Sequence, residues 1–294
     1  MRPPGSSPPI LVGLINPLFA ALAMAASSLG VVVNSARPLP VERDPLNERD
    51  SDFGHNALSR DAQPCVATRT KHSTPRRPDA KTPTRNMQLL LFSDVHGDLD
   101  ACRRIVDRAA DVDVVVGTGD FCVARRNLAA PIETLSAIDT PTVLVPGNAE
   151  TEDEIAEQLS ATGWSAAHVL HGDGVTIDGQ SFYGLGGGVP ITPFGPWSYD
   201  LSEEEARSLL ANCPDGAVLV SHSPPKDAVD RDSNGTSLGS MAVREAIERT
   251  VPVLTACGHI HGSWGETSEI GPTPVVNAGP GGVIRTLPAA GVKR

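Results

Sequence analysis

Residues 89–98 read Leu-Leu-Leu-Phe-Ser-Asp-Val-His-Gly-Asp, and this stretch decides the fold. Four consecutive apolar residues predict a strand buried on both faces, as is typical of an interior strand in a parallel α/β sheet. Asp94 and His96 follow directly, and because they are two residues apart they point the same way from an extended chain. Carboxylate and imidazole are both metal-ligand groups. The stretch therefore predicts an interior strand that ends in a pair of potential metal ligands.

The rest of the chain repeats this pattern of short apolar runs. Further apolar runs predict strands at residues 112–116, 142–145, 182–185, 217–220, 251–254 and 274–276. Helical patterns lie between them at residues 99–110, 131–138, 152–159, 203–210 and 241–249. Thr151 with Glu154, and Ser202 with Glu205, have the spacing of a capping box at a helix start. Strands that alternate with helices predict an α/β domain over residues 87–294.

Four of these further runs also end in potential metal ligands, namely Asp120, Asn148, His222, and His259 with His261. In open α/β sheets, sites form beyond the carboxyl ends of the strands, so the five ends are expected to converge on one crevice. Carboxylate, amide oxygen and imidazole together suit Mn²⁺, Fe or Zn²⁺ better than Ca²⁺, and no cysteine stands among them to suggest a structural zinc site. A carboxylate can bridge two such ions, and a pair of adjacent ions is the usual device for in-line attack on phosphorus.

In this order, the motifs resemble those of the calcineurin-like metallophosphoesterase superfamily, whose blocks are D-x-H, G-D, G-N-H-[ED], a single H, and G-H-x-H. The resemblance covers residues 88–283 and implies a sandwich of two mixed β-sheets flanked by helices. It implies a metal-bridging hydroxide that hydrolyses phosphomono- or diesters, with phosphodiesters the expected substrates. Two divalent ions would be held, the first by Asp94, His96 and His261, and the second by Asn148, His222 and His259. Asp120 would bridge them and, with Asn148, take part in catalysis.

The third block departs from the family pattern, because Ala149 stands where the family has a histidine that contacts the phosphate or protonates the leaving group. General-acid catalysis contributes about 10²- to 10⁴-fold, so we expect slow turnover or a preference for activated leaving groups. Asp98, His168 and His171 are weak candidates to replace the missing histidine. Asp98 is expected to cap a helix, and the two histidines are expected to be solvated. Glu150 is expected to be a surface charge or a charge at a helix start.

Ala149 also favours a rival hypothesis, in which the domain is a non-catalytic metal-binding or interaction scaffold of the same fold. The seven intact ligand residues favour the enzyme. Arg244 is a candidate contact for a substrate phosphate, with a solvated helix face as the alternative. The segment 189–199, which contains Phe194 and Trp197, is either a rim over the site or an ordered surface loop.

Residues 10–33 form an uncharged stretch long enough to span a bilayer, which needs about 20 helical residues. A signal peptide would end near Ala23-Met24-Ala25, although the apolar run is long for that role. For a membrane anchor, the arginines that follow at positions 37, 43 and 49 predict a cytoplasmic C-terminal side. Residues 10–37 also resemble the last transmembrane helix of heavy-metal P-type ATPases, which ends in the cytoplasm. Because no pump machinery accompanies it, the resemblance suggests a fused or borrowed anchor, or a gene start placed in the remnant of a neighbouring reading frame. The same segment raises a third functional class, a metal-transport accessory.

Charge and composition divide the chain of 294 residues into three parts. Residues 1–36 are the apolar segment, and residues 37–86 are rich in proline and predict a disordered linker. The first 86 residues carry a net charge of +4 and the remainder −15. The acidic domain offers no nucleic-acid surface, so we expect a small phosphate-ester substrate bound through metal. The five cysteines lack a C-x-x-C pair and are odd in number, which indicates reduced thiols in a reducing compartment. We therefore expect a cytoplasmic location, with tethering to the inner face of the membrane through residues 10–33.

Overall fold

The computed structural model describes residues 86–288. The predicted apolar segment, and the predicted linker apart from Asn86, lie outside the described residues, as does the stretch that resembles a P-type ATPase helix. Within residues 86–288, no helix combines the length and the apolar character that a membrane crossing requires.

A five-stranded mixed sheet has the strand order β11-β1-β2-β3-β4. Strands β1 to β4 are mutually parallel where they pair, and β11 runs antiparallel to β1. The strands are β1 (Met87–Phe92), β2 (Val114–Gly117), β3 (Thr142–Leu144), β4 (Ala167–Val169) and β11 (Val283–Leu287).

A six-stranded mixed sheet has the order β5-β6-β7-β8-β10-β9. Its four central strands are parallel, and the edge strands β5 and β9 are antiparallel to their neighbours. The strands are β5 (Gly174–Ile177), β6 (Gln180–Leu185), β7 (Val218–Ser221), β8 (Leu254–Cys257), β9 (Thr267–Ile270) and β10 (Thr273–Asn277).

Within residues 86–288, five α-helices form between the strands, all in the predicted places. They are α1 (Leu99–Ala109), α2 (Ala129–Leu135), α3 (Glu152–Thr162), α4 (Glu203–Leu210) and α5 (Met241–Thr250). Both predicted capping boxes are present, at the starts of α3 and α4. Asp98 caps α1 as expected, because its side chain accepts hydrogen bonds from the N–H groups of Asp100 and Ala101.

The apolar runs are continuous because each sheet is covered on both faces. Leu89 and Leu91 of β1 point into a core shared with Val218 and Val220 of β7, so this core lies between the two sheets. The intervening side chains of β1 pack under α1, α2 and α3. On the second sheet, β7 and β10 pack in the same way against α4 and α5. The predicted sandwich of two mixed sheets flanked by helices is thus confirmed.

The strand predicted at residues 251–254 is displaced along the chain. The strand itself is Leu254–Cys257, and Val251 is the C-cap residue of α5, with φ at 44°. Strands β4, β5, β9 and β11 were not predicted. Each has exposed or half-exposed residues, so it lacks the continuous apolar run that marks an interior strand.

Candidate metal centre

The predicted ligands all lie just beyond the carboxyl ends of central strands. Asp94 and His96 follow β1, and Asp120 follows β2. Backbone hydrogen bonds join these two loops, since Asp94 N–H donates to Gly119 O over 2.9 Å and His96 N–H to Asp120 O over 3.0 Å. Across the second sheet, Gly258 N–H donates to His222 O over 2.9 Å. Main-chain pairing beyond the strands therefore holds the ligand loops side by side.

A first ligand group consists of Asp94, His96 and His261, whose ligand atoms all lie within 4.8 Å of one another. The Nε2 atoms of the two histidines are 3.2 Å apart. Asp94 Oδ1 is 3.9 Å from His96 Nε2 and 3.6 Å from His261 Nε2. The three donors face one point, as ligands of a single cation do.

A second ligand group consists of Asp120, His222 and His259, again with ligand atoms within 4.8 Å of one another. The rings of His222 and His259 have centroids 4.8 Å apart. Asn148 joins this group, because its Oδ1 lies 3.2 Å from His222 Nε2. The group thus offers carboxylate, amide oxygen and imidazole together.

Asp120 lies between the two groups and faces both. Its Oδ1 is 3.5 Å from His222 Nε2 in the second group, and its Oδ2 is 3.6 Å from His96 Nε2 in the first. One carboxylate oxygen for each group is the arrangement of a bridging ligand between two ions. The donor set therefore fits two divalent cations.

Backbone carbonyls fix the tautomers of two histidines. His96 Nδ1 lies 3.2 Å from Cys122 O, and His222 Nδ1 lies 2.7 Å from Thr118 O. A carbonyl oxygen can only accept, so each Nδ1 carries a hydrogen, and in the neutral ring each Nε2 keeps its lone pair. A second partner of this kind is what orients metal-binding histidines.

Asp94 is buried, and hydrogen bonds surround its carboxylate. Its Oδ2 accepts from Ser93 Oγ, from His259 N–H over 3.1 Å and from Trp264 Nε1–H over 3.3 Å. Burial alone would raise the pKa of Asp94, but the hydrogen bond with His261 and the nearby histidines lower it below its usual range. The residue is therefore held as an anion.

The two groups differ in how their histidines bind protons. Desolvation opposes a charge on His96, but Asp120 and Asp94 outweigh it and raise the pKa of His96. Desolvation lowers the pKa of His259 to about 4, and the adjacent His222 adds to the effect. His259 is therefore neutral at pH 7, with a lone pair available for a metal.

The ligand loops are strained where they turn. Asp94, His96, Asp120 and His259 all have positive φ, between 44° and 66°. L-residues seldom adopt this region, and such strain concentrates at functional sites. Gly119 has φ at 97°, and a Cβ there would lie 2.4 Å from Gly147 N, so close approach of the β2 and β3 loops requires glycine.

Ser198 orients the Asn148 amide, a role that the sequence did not reveal. Asn148 Nδ2–H donates to Ser198 Oγ over 3.0 Å, and Ser198 Oγ–H donates to Asp200 Oδ1 over 2.8 Å. This chain turns the amide nitrogen away from His222 and the amide oxygen toward it. Fifty positions separate Asn148 from Ser198, so no local pattern could indicate the contact.

The prediction of a surface charge at Glu150 is wrong, because this side chain is fully buried. Its Oε1 accepts from the N–H groups of Asp120 and Gly147 over 2.7 and 2.8 Å, and its Oε2 accepts from Cys122 N–H over 3.2 Å. Burial and the nearby charge of Asp120 raise the pKa of Glu150 to about 7. Glu150 thus joins the β2 and β3 loops beneath the ligands.

Neither His168 nor His171, the histidines proposed to substitute for the missing one, belongs to the two ligand groups. Ala149 itself is buried, and its N–H donates to Asp120 Oδ1 over 2.9 Å. His168 is exposed on β4 as expected. His171 is half-buried rather than solvated: its Nδ1 accepts from Gly186 N–H over 3.1 Å, and its Nε2 lies 3.1 Å from the hydroxyl of Tyr199.

Arg244, the candidate phosphate contact, lies on α5. Its Nε–H donates to Glu248 over 3.0 Å and its Nη1–H to the carbonyl of Lys226 over 2.8 Å. Both hydrogen bonds are to the helix surface and an adjoining loop. They do not connect Arg244 to either ligand group.

The chain is similar to several solved structures. TT1561 of Thermus thermophilus is 19% identical with a TM-score of 0.55, over 69% of this chain and 99% of that one. An archaeal phosphodiesterase is 18% identical with a TM-score of 0.41, over 66% and 84%. A dimetal phosphatase from Danio rerio is 14% identical with a TM-score of 0.45, over 65% and 86%. No curated protein matches the sequence.

The family is established by a different comparison. The family model for the calcineurin-like phosphoesterase superfamily domain matches residues 87–291, which is more than half of the chain. This protein therefore belongs to the calcineurin-like phosphoesterase superfamily. The similarity to TT1561 supports the same fold.

Proposed function

We propose that this protein is a metal-dependent phosphoric ester hydrolase, most active on phosphodiesters. One observation carries the proposal, namely that Asp120 presents one carboxylate oxygen to each of two adjacent ligand groups. Two divalent ions bound there would lower the pKa of a coordinated water and neutralise charge that develops on the phosphoryl oxygens. The donors favour Mn²⁺, Fe or Zn²⁺.

The residues of the chain prepare the site for this chemistry. Asp94 is held as an anion and His259 as a neutral base, so these two donors are in their metal-binding forms at pH 7. Asn148 adds a neutral oxygen whose direction is set by Ser198. A domain with a charge of −15 has little to attract a phosphate except the cations it binds, so the substrate is held through metal.

Ala149 limits the range of substrates. Its methyl group can neither contact the phosphate by a hydrogen bond nor protonate a departing oxygen. We therefore propose that the enzyme prefers esters whose alcohol leaves without protonation. The alternative, a non-catalytic scaffold of the same fold, is favoured by this same alanine.

One experiment separates the two functions. The full chain is loaded with Mn²⁺ and assayed on bis-p-nitrophenyl phosphate beside Asp120→Asn, with the exposed Asp215→Asn as the matched control. If the protein is an enzyme, Asp120→Asn is expected to lower its activity about 100-fold or more, which corresponds to a few kcal/mol of transition-state stabilisation. The control variant is expected to keep full activity. Metal binding without hydrolysis in the wild type would instead establish the scaffold.

We also propose that the protein is cytoplasmic and tethered to the inner face of the membrane by residues 10–33. The uncharged length of this segment and the arginines that follow it support the proposal. The domain division at residues 36 and 86 belongs to the same proposal.

A further inference from the structure

A loop beside the candidate metal centre exposes two stacked aromatic side chains. The rings of Phe194 and Trp197 have centroids 5.7 Å apart and an interplanar angle of 18°. Phe194 is 43% exposed and Trp197 is 38% exposed. Ile191 in the same loop is 67% exposed. Grouped apolar side chains in solvent are characteristic of binding sites, whereas scattered ones are ordinary.

This aromatic loop, residues 189–200, is held in place by its own hydrogen bonds. Asp200 Oδ2 accepts from Thr192 N–H over 2.9 Å and from Thr192 Oγ1–H over 2.7 Å. Asp200 Oδ1 accepts from Ser198 Oγ–H, and Ser198 N–H donates to Gly195 O over 3.0 Å. The aromatic pair therefore lies on a loop that its own hydrogen bonds keep ordered. A ligand that binds the pair would not pay an entropic cost for ordering the loop.

The same hydrogen bonds fix the loop to the metal centre. Ser198 Oγ accepts from Asn148 Nδ2–H, and Asn148 O accepts from Tyr199 N–H over 2.9 Å. Trp197 precedes Ser198, and Phe194 N lies 3.5 Å from Thr192 Oγ1, which is itself 3.1 Å from Ser198 Oγ. Standard backbone dimensions then place the main chain of both aromatic residues within about 10 Å of the Asn148 amide.

The chemistry of the loop selects one kind of ligand. Asp200 is the one charged residue within 189–200, so the loop has no cation for a phosphate. It offers aromatic faces, which interact with other planar rings by stacking. The part of a phosphoester that projects from a metal-bound phosphate is its alcohol. A ring on that alcohol therefore lies outside the metal centre, where the side chains of a neighbouring loop can meet it.

We propose that Phe194 and Trp197 form a recognition surface for a planar aromatic ring on the leaving group of the phosphoester. The inference rests on the proposed hydrolase function, because it assumes that the phosphate is held at the metal centre. It also agrees with Ala149, since aryl alcohols depart with less need of a proton than alkyl alcohols. The surface thus makes the aromatic part of the substrate the determinant of specificity.

Binding of non-hydrolysable phosphonates tests the surface without an activity measurement. Calorimetry on the Mn²⁺-loaded full chain is expected to show benzylphosphonate, in which a methylene group replaces the leaving oxygen, bound about tenfold more tightly than methylphosphonate. Phe194→Ala and Trp197→Ala should each remove most of this advantage, and Trp197→Phe should retain it. Ile284→Ala, at a residue that is 44% exposed on β11, is the matched control and should change nothing.

Failure of this inference is distinguishable from failure of the proposed function. If bis-p-nitrophenyl phosphate is hydrolysed but benzylphosphonate has no advantage over methylphosphonate, the recognition surface is refuted and the hydrolase stands. An advantage that survives Phe194→Ala and Trp197→Ala would refute it as well. If benzylphosphonate shows the advantage, adenosine 5′-phosphate is compared with ribose 5-phosphate. Tighter binding of the adenosine compound would identify the accepted ring as a nucleobase, and equal binding would identify it as a simple aryl group.

Discussion

At the scale of single residues, the centre combines a fixed anion, a fixed neutral histidine and one histidine that still titrates. Asp94 stays ionised because hydrogen bonds surround it, and His259 stays neutral because it is desolvated. His96 differs, since Asp120 and Asp94 raise its pKa above 6.5. In the metal-free protein, a proton on His96 therefore competes with metal at the first ligand group.

Metal affinity at the first group should accordingly increase with pH. Binding requires neutral His96. An imidazole with the ordinary pKa would weaken Mn²⁺ binding about fourfold between pH 8 and pH 6, so the raised pKa of His96 should make the loss larger than that. Titration calorimetry at pH 6, 7 and 8 measures this. Equal affinity across the three values would contradict the raised pKa of His96.

Ala149 is the residue whose replacement should add an activity. A histidine at this position would supply the missing proton donor, so Ala149→His should raise hydrolysis of alkyl phosphodiesters by about tenfold or more. Hydrolysis of p-nitrophenyl esters should change little, because their leaving group needs no proton. The ratio of the two rates is the measurement, with Ala149→Val as the steric control, and an unchanged ratio in a folded variant argues against the assigned role.

At the scale of elements, the centre depends on loops that meet beyond the ends of parallel strands. The β2 and β3 loops are joined by Glu150 and by the contact of Gly119 with Gly147. The aromatic loop adds a third support by bonding the Asn148 amide through Ser198. Ligand positions are therefore set by loop-to-loop contacts as much as by the strands themselves.

Removal of the Ser198 hydroxyl should weaken one ligand group alone. In Ser198→Ala the Asn148 amide loses its acceptor and is free to rotate, so affinity at the second group should fall about 10- to 100-fold. The first group should keep its affinity. A two-site metal titration tests this, with Ser208→Ala on α4 as the control, because that hydroxyl donates only to Glu204 O. Two unchanged sites would show that Ser198 does not orient the ligand.

The elements also show what a sequence can and cannot predict. Interior strands such as β1 and β7 are buried on both faces, so their apolar runs identify them and, with them, the ligands that follow. Edge strands such as β9 and β11 are partly exposed and carry no such signal. The burial of Glu150 was missed because its partners are backbone N–H groups on another loop, which no residue pattern encodes.

At the scale of the whole molecule, the regular structure of the described part begins at Met87, where the family match also begins. The net negative charge belongs to this domain, and the preceding 86 residues carry a net positive charge. Catalysis and location are therefore expected to be separable properties of the two parts.

A chain that starts at Met87 should retain metal binding and hydrolysis within about twofold, because every proposed ligand lies in residues 94–261. The full chain should sediment with membranes and the shortened chain should stay in the supernatant. Fractionation followed by an activity assay of both chains measures the two properties together. A full chain that remains in the supernatant would contradict the anchor.

The burial of Glu150 has a consequence for how metal ions enter the site. Three backbone N–H groups from two loops converge on this one carboxylate, and none of these bonds involves a metal. These bonds join the two loops without a metal ion, so we expect the ligand loops to be preorganised before a cation binds. On this basis we expect bound metal to exchange while the sandwich stays folded.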